Sequence, residues 1–351
     1  MVWGGSYDNM EHYSVTCVKL APIVPVFTAL PLFSSQNVYT VLYPEQTCLT
    51  YNPDINALMF TARGHTGVVG TSNDICSATS INRGSSFTYG VSVGPNQGYN
   101  RYPSGDIYNP AGNTNPANAF KAFAAPITNG STWIGNNFAT NTWANNHLYT
   151  ETMGSVLGND VMCALNIQSD NVAHGVSLDN SSDYLDCIPY IYRGIFNSAI
   201  GGFNWDTTRL AQPFFKSPSS LKYYALARGN MAFSPDGAVG YAVYVGSDAR
   251  APLNDLTGYQ PIVYKTINSG IDWVRMDMLN LKNHPLISQY IWPKRAGGGT
   301  QPNFSESDIV VDQDGNLHII ALCKGTFSTH PDSLAYSYTW ENGAIFDISN
   351  I

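Results

Sequence analysis

Tyr264-Lys-Thr-Ile-Asn-Ser-Gly-Ile-Asp-Trp273 reads as the end of one β-strand, a tight turn and the start of the next. Gly270 supplies the positive φ that such a turn demands. Asn268 is placed to hydrogen-bond its own backbone two residues on, and Trp273 packs beneath the turn. One such stretch is an ordinary hairpin; its value here lies in repetition. A glycine followed three residues later by an aromatic recurs as Gly84-Ser-Ser-Phe87, Gly130-Ser-Thr-Trp133, Gly202-Phe-Asn-Trp205 and Gly343-Ala-Ile-Phe346. The hydroxyl and asparagine that precede the glycine are best kept in Ser80-Ile-Asn82 and Thr266-Ile-Asn268.

A second turn precedes each copy: Asn52-Pro-Asp-Ile-Asn56, Asn109-Pro-Ala-Gly-Asn113, Gln168-Ser-Asp-Asn171, Ser234-Pro-Asp-Gly237 and Asp312-Gln-Asp-Gly-Asn316. Each lies between apolar, strand-like runs, which is a hairpin signal. The two turns keep phase: Asp54 to Gly84 spans 30 residues, Asp170 to Gly202 spans 32, Asp236 to Gly270 spans 34 and Asp314 to Gly343 spans 29, while Pro110 to Gly130 spans only 20. No stretch shows sustained helical periodicity with caps. The unit is therefore strand, turn, strand, long loop, strand, glycine turn, strand, a four-stranded antiparallel meander repeated five times.

Repeated radially, that unit makes a β-propeller. The expected fold class is all-β, a single β-propeller domain over residues 1–351 built of four-stranded antiparallel blades. Five units run from about Gln46 to Ile351, and strand-like runs at 13–19 and 38–43 are expected to complete a blade from residues 1–45. Six blades is the expected count, with a seventh if the chain continues past Ile351. A β-sandwich, or two smaller β domains, gives no reason for the paired turns to stay in phase.

Ser80-x-Asn82-x-Gly84-x-Ser86-Phe87 and Thr266-x-Asn268-x-Gly270-x-Asp272-Trp273 resemble the Asp-box, the bacterial-neuraminidase repeat of sialidase-like propellers, whose pattern is Ser/Thr-x-Asp-x-Gly-x-Thr-Trp/Phe. Asn replaces Asp in both good copies, and the other three copies are degenerate. Asp-boxes recur in propellers of unrelated activity, so the resemblance implies fold more than function. The segment Arg101-Tyr-Pro-Ser-Gly-Asp-Ile-Tyr-Asn-Pro-Ala-Gly-Asn113 is also similar to secreted bacterial surface propellers of the type IX export kind, although the C-terminal sorting domain of such proteins has no counterpart in the sequence.

Of the 351 residues, 44% are hydrophobic and 12% charged, about half the usual charged share of roughly 25%. With 17 Lys and Arg against 25 Asp and Glu, a net charge of −8 and no basic run, the chain offers no nucleic-acid surface. Its 22 tyrosines, 31 glycines and long Ser/Thr/Asn runs suit an extracellular or cell-surface protein. The most apolar stretch, 18–33, is broken by Pro22, Pro25 and Pro31, so no transmembrane helix is expected. The start, with Asp8 and Glu11, lacks the positive region of a secretory signal, and Met1 is read as something other than a secretory start. Cysteines 17, 48, 76, 163, 187 and 323 have no metal spacing, while disulfides suit an extracellular setting. Cys48 with Cys76, and Cys163 with Cys187, fall on strands 1 and 3 of a blade. Those strands stand about 9.6 Å apart, beyond the ~7 Å that a disulfide spans between Cα atoms, so such bridges form only near strand ends. Cys17 and Cys323 are placed to lock a ring closure. No cofactor or metal is expected: Asp312-Gln-Asp-Gly-Asn316 lacks the later Glu of a calcium loop and occupies a hairpin position, and no two histidines show ligand spacing.

In a blade of this kind the 1–2 and 3–4 turns lie on one face, and the 2–3 loops and blade connections on the other. The long segments 94–103, 135–159, 207–227 and 280–305, with 64–73, 246–260 and 324–332, are therefore assigned to a single recognition face. His65, His147, His284 and His330 fall in or near these loops. Each innermost strand begins at that face, eight to ten residues before its first turn, which gives Glu45, Arg101, Asp160, Arg228 and Glu306 as a ring of mixed charge at the channel mouth. The expected binding residues are Arg101, Tyr102, Arg228, Glu306 and Trp292. The sialidase resemblance implies three arginines on a substrate carboxylate, a Tyr–Glu nucleophile pair and an Asp acid/base. Here the ring supplies two arginines, Arg63 and Arg193 lie in other strands, and the usual Arg-Ile-Pro segment is missing. The first expectation is accordingly a non-enzymatic recognition or structural module that binds a glycan, a peptide or a surface protein, alone or inside a larger surface complex. The alternative is a glycoside hydrolase or lyase that uses Asp160 and Glu306 as its carboxylates, with Arg101 and Arg228.

Overall fold

The computed structural model describes residues 29–32, 46–64, 70–168, 171–295, 298–328, 330, 337 and 343–350, and for 162, 163, 227 and 228 it describes the backbone alone. Among the described residues every strand belongs to the body Leu32–Ile351 and falls into one of five antiparallel sheets, taken in chain order. The first sheet holds β1 (Leu49–Asn52), β2 (Ala57–Arg63), β3 (Ile75–Ser80) and β4 (Thr88–Val93). The second holds β5 (Tyr99–Asn100), β6 (Ser104–Tyr108), β7 (Phe120–Thr128), β8 (Trp133–Thr142) and β9 (Leu148–Gly154). The third holds β10 (Asp160–Ile167), β11 (Val172–Asn180), β12 (Cys187–Asn197) and β13 (Gly202–Arg209). The fourth holds β14 (Ala225–Phe233), β15 (Gly240–Gly246), β16 (Gln260–Thr266) and β17 (Val274–Arg275), and the fifth β18 (Pro302–Val311), β19 (Leu317–Gly325) and β20 (Gly343–Ser349). Within each sheet every strand pairs with the next in sequence, except that β5 and β6 both pair with β7, as two halves of one interrupted strand.

The first strands of successive sheets pack side by side: β1 on β6, β6 on β10, β10 on β14 and β14 on β18. The first turns of four sheets converge on one cavity of about 330 Å³, lined by Asp54, Asn109, Gln168 and Pro235 among others. Meanders set side by side along their first strands, with their first turns converging, are the blades of a propeller-type fold. The residues expected to complete a sixth blade, 1–28 and 33–45, lie outside the described residues.

The stretch from Tyr264 to Trp273 folds as its composition requires. In the fourth sheet the Thr266 hydroxyl accepts the Gly270 amide at 3.1 Å and donates to Asn268 Oδ1 at 2.9 Å, while Asn268 Oδ1 accepts the Asp272 amide at 3.0 Å. The first sheet repeats the set: Ser80 Oγ accepts Gly84 N at 2.9 Å and Asn82 Oδ1 accepts Ser86 N at 3.0 Å. Asparagine serves where the motif has aspartate because its amide also donates onward, Asn82 Nδ2 to Ser86 Oγ and Asn268 Nδ2 to Asp272 Oδ2. Gly84 and Gly270 have φ of +80° and +76°, the left-handed region that glycine enters at no steric cost.

Three expected turns fall elsewhere. Gly130 closes the turn between β7 and β8, the second and third strands of its blade, so it lies on the long-loop face; the β8–β9 turn holds Asn145 in its place, at φ +57°. Consequently most of the expected loop 135–159 is strand, β8 and β9. In the third sheet the turn ends at Gly201, φ +64°, and Gly202 already begins β13. Gly343 starts β20 and makes no turn, since β20 pairs directly with β19.

Two histidines tie neighbouring sheets through these turns. The His147 ring donates from Nε2 to the Ile200 carbonyl at 2.9 Å, and the His174 ring donates from Nε2 to the Ser269 carbonyl at 3.1 Å. His147 therefore lies on the tight-turn face, away from the long loops where it was expected. His174 is fully buried and stacks on Phe233 at 4.2 Å. A Cβ on Gly270 would meet His174 Nε2 at 2.3 Å, whereas one on Gly112, with the same φ of +76°, would meet nothing within 4 Å. Gly112→Ala should therefore cost only the left-handed strain, about 1–2 kcal/mol. Gly270→Ala should cost roughly 1–3 kcal/mol more, as the His174 ring is displaced from its packed site. Urea unfolding of the two variants measures the difference, and equal losses would show that the His174 contact contributes nothing.

Candidate functional site

The first strands of the second to fifth sheets are each interrupted. Between β5 and β6 the chain passes through Arg101-Tyr102-Pro103, where proline has no amide to donate and Tyr102 takes φ +40°. Register shifts occur on β10 between Met162 and Leu165, on β14 between Ala225 and Gly229, and on β18 between Phe304 and Ser307. The residues just past these breaks meet across the sheets. Thr47 N donates to Ser104 Oγ at 3.1 Å and its hydroxyl to the Leu165 carbonyl at 2.9 Å, while Asn230 Nδ2 donates to the Ser307 carbonyl at 2.6 Å and to Ser307 Oγ at 3.1 Å. Bulges re-aim side chains and gather beside active sites. Arg101, Arg228 and Glu306 all stand within these breaks, and Asp160 stands two residues before the break in β10. Glu45 and the side chain of Arg228 lie outside the described residues.

On the side facing the first sheet, Arg101 is joined by Arg63, the last residue of β2. Both donate to the Ser72 carbonyl, Arg63 from Nε and Arg101 from Nη1; Arg101 Nη1 also reaches Asn73 Oδ1 at 3.0 Å. Arg63 is only 8% exposed. Burial and the charge of Arg101 pull its pKa down to about 10. The Arg101 guanidinium lies over the Tyr99 ring at 5.6 Å, and Tyr102 packs on Trp133 at 5.9 Å.

On the side facing the third sheet stands Asp160, 2% exposed and directly cross-strand from the fully buried Asp179. Tyr192 Oη donates to Asp160 Oδ2 at 2.6 Å. Burial outweighs that bond and pushes the carboxyl up to about 6. Asp179 accepts Ser155 Oγ at 2.8 Å, Val156 N at 2.7 Å and Leu157 N at 3.0 Å, and so fastens the connection from β9 to β10.

Two consecutive asparagines of β8 join the halves. Asn136 Nδ2 donates to Tyr192 Oη at 3.2 Å, and Asn137 Nδ2 donates to Asn100 Oδ1 at 2.9 Å; Asn100 in turn donates to the Asn73 carbonyl at 3.0 Å. Asp160 and Glu306, expected as a pair, are not neighbours: β14 stands between their strands, Asp160 is buried and Glu306 is exposed. Trp292, 37% exposed, lies in the segment between the fourth and fifth sheets. Arg63, Asp179 and the two asparagines were missed. Arg63 had a signal, because a second strand runs back toward the long-loop face and its last residue must meet the start of a first strand. Burial pushes the Cys76, Cys187 and Cys323 thiols up to about 12; Cys17, the expected partner of Cys323, and the side chain of Cys163 lie outside the described residues. Among the described residues no group of side chains suits a metal ion, and no helix is long and apolar enough to cross a membrane.

No family model matches the sequence, and none of the curated proteins compared with it does. Among solved structures, the chain is similar to an endo-arabinase from Bacteroides thetaiotaomicron, with 10% identity and a TM-score of 0.40 over 89% of this chain and 98% of that one. It is similar to an α-L-arabinofuranosidase from Fusarium graminearum, with 11% identity and a TM-score of 0.43 over 91% and 97%. It is similar also to an α-L-arabinanase from Penicillium chrysogenum, with 11% identity and a TM-score of 0.45 over 87% of each chain. Likenesses this loose assign no substrate. All three are nonetheless enzymes by name, and against them the expectation of a non-enzymatic recognition or structural module is corrected; the glycoside-hydrolase alternative is the one that agrees with them.

The Asp160 carboxyl makes stability depend on pH with a fixed sign. Its folded value of about 6 lies above the ordinary 3.8, so its neutral form is favoured by folding below about pH 4, and that advantage is lost as pH rises to 6. Asp160→Asn, neutral throughout, should match the wild type near pH 4 and gain on it by up to about 3 kcal/mol by pH 7. Urea midpoints across that range check the slope, and a parallel offset at all pH values would show that Asp160 is not held neutral.

Proposed function

We propose that this chain is a glycoside hydrolase working where the first strands are interrupted on the long-loop face. The observation that carries this is the Asp160 carboxyl, buried at the head of a first strand, opposite a second carboxylate, and protonated up to about pH 6. A carboxyl kept neutral beside another acid is what the leaving oxygen of a glycoside needs as proton donor. Tyr192, itself held by Asn136 and Ser177, fixes the orientation of that carboxyl. Glu306, exposed within the β18 break and not in contact with Asp160, is assigned the role a more distant carboxylate can fill, the base that activates a water for attack at the anomeric carbon. Because Asp160 is buried and the connection 155–159 is fastened to Asp179, the proposal requires that connection to open before a sugar meets the carboxyl. An extracellular setting belongs to the same proposal and is supported by the low charge and the Tyr- and Asn-rich loops.

The test is product release from a panel of neutral and acidic oligosaccharides. Turnover should fall at least about 100-fold in Asp160→Asn and in Glu306→Gln. It should decline as pH rises through about 6, because the protonated carboxyl is the working form. No turnover on any glycan, or turnover indifferent to both substitutions, would remove the proposal.

A further inference from the structure

We infer that the cavity between the fourth and fifth sheets is a binding site for a neutral apolar molecule, about twice the size of benzene, that carries one hydrogen-bond acceptor. The cavity owes its origin to a strand that stops early. The outermost strands of the first three sheets, β4, β9 and β13, have 6, 7 and 8 residues, whereas β17 has 2. β17 meets β16 only at Val274 and Arg275. Met276 N still donates to the Val263 carbonyl at 2.9 Å, and the chain then leaves the sheet. It leaves under restraint: Arg250 Nη1 donates to the Met276 carbonyl at 2.9 Å, and Gln260 accepts the Leu281 amide at 3.2 Å and donates to the Leu279 carbonyl. Across the gap stand β19 and β20, where Asn350 Oδ1 accepts Leu317 N at 2.6 Å. The space between has a volume of about 370 Å³.

The lining decides the chemistry. Val263, Met276, Leu279, Leu317, Ile319 and Ile348 make an apolar wall drawn from both sheets. Val263, Leu317 and Ile319 belong to the buried core, so the wall is preformed. Asp277 and Ser349, both exposed, stand at the rim and open the cavity to solvent. Every residue that lines it lies among the described ones. The volume is more than twice the ~150 Å³ of an apolar cavity that takes up benzene, which suits a bicyclic ring system.

Arg275, also in the wall, supplies the polar contact. Its Nη2 is fixed on Asp248 Oδ1 at 2.7 Å and on the Pro213 carbonyl at 2.8 Å. Among the described residues its Nε is buried without an acceptor, and its Nη1 makes no hydrogen bond. A donor left unpaired in a largely apolar wall is a cost that an acceptor on a ligand removes. Charge balance makes that acceptor neutral. Arg250 and Arg275 share Asp248, at 2.9 and 2.7 Å, and Asp277 acts on Arg250 through its charge, so two guanidinium groups face two carboxylates. An anion would add a charge beside Asp248 and Asp277, and a cation one beside the two arginines; either would be desolvated without a free counter-charge. A carbonyl oxygen meets neither objection. The cavity lies between β16, β17, β19 and β20, away from the interrupted first strands, and its ligand does not depend on glycoside hydrolysis.

Calorimetric titration of the full chain with naphthalene, acetonaphthone, naphthoate and naphthylmethylammonium tests the site. Acetonaphthone, which adds a ketone to the ring system, should bind about tenfold more tightly than naphthalene, and more tightly than either ion. Nuclear Overhauser contacts from its ring protons should reach the methyl groups of Leu279 and Ile348. Leu279→Trp, which fills the cavity from its half-buried side, should remove binding with the melting temperature unchanged. No binding by the wild type, contacts only to other methyl groups, or affinity indifferent to Leu279→Trp overturns the site. Either ion binding more tightly than acetonaphthone overturns the neutral ligand, and naphthalene binding as tightly as acetonaphthone overturns the part given to Arg275.

Discussion

A strand covered on both faces by other sheets has no water for its polar side chains, and every such group must find a partner in the protein. β8 is bound by this constraint at two positions in a row. Asn136 and Asn137 are consecutive, both 0% exposed, and successive residues of a strand point to opposite faces. One amide is therefore satisfied from the third sheet and the other on the opposite side, by a residue of β5 in the same sheet as β8. They find Tyr192 and Asn100, and through those residues they fix Asp160 on one side and the backbone that carries Arg101 on the other. Replacing either asparagine with an apolar residue would leave a buried hydroxyl or carbonyl group without its donor.

The same wall explains why acid and arginines coexist without quenching each other. Placed in contact, an Asp and two arginines would form an ion pair, holding the carboxyl ionised and the guanidinium edges occupied. The intervening sheet keeps Asp160 among Tyr192, Ser177 and Asn136, where burial favours the protonated form. Arg63 and Arg101 are left facing peptide oxygens and aromatic rings. The separation has a folding cost on both sides, a carboxyl lifted to about 6 and a guanidinium lowered to about 10, and both shifts run against stability at neutral pH.

How much could be read from the sequence depends on the range of the physics. Turns are local: a glycine at positive φ close to an asparagine or aspartate declares itself within five residues, so the tight turns around Gly84, Gly237, Gly270 and Gly315 fell in place. Strand direction is nearly local, and it put Arg101 and Asp160 toward the starts of their strands, whereas Glu306 falls in the middle of β18. The second sheet was misread because Gly130 carries the right residues for a 3–4 turn but closes a 2–3 turn. Its spacing of 20 from Pro110, against 29 to 34 elsewhere, was the sign of a missing strand. Pairings across sheets stayed hidden. Arg63 lies 38 positions from Arg101; strand direction brings the end of β2 to the same face, but nothing in either segment's pattern says that both meet at Ser72.

The interruptions in the first strands have causes as physical as those of the turns. A regular first strand would alternate its side chains between the two neighbouring sheets and direct none along the axis where the strands converge. Only a break in register frees a residue from that alternation. Pro103, which cannot donate to β7, and the left-handed Tyr102 make the break that releases Arg101. On β18 the shift between Phe304 and Ser307 leaves Glu306 exposed among buried neighbours. Asn230 and the Ser307 hydroxyl then resume regular packing immediately below, so each break stays one short step and the strand beneath it keeps its core. Charge at this level is thus a product of backbone irregularity that the chain builds repeatedly and closes each time with a buried polar link.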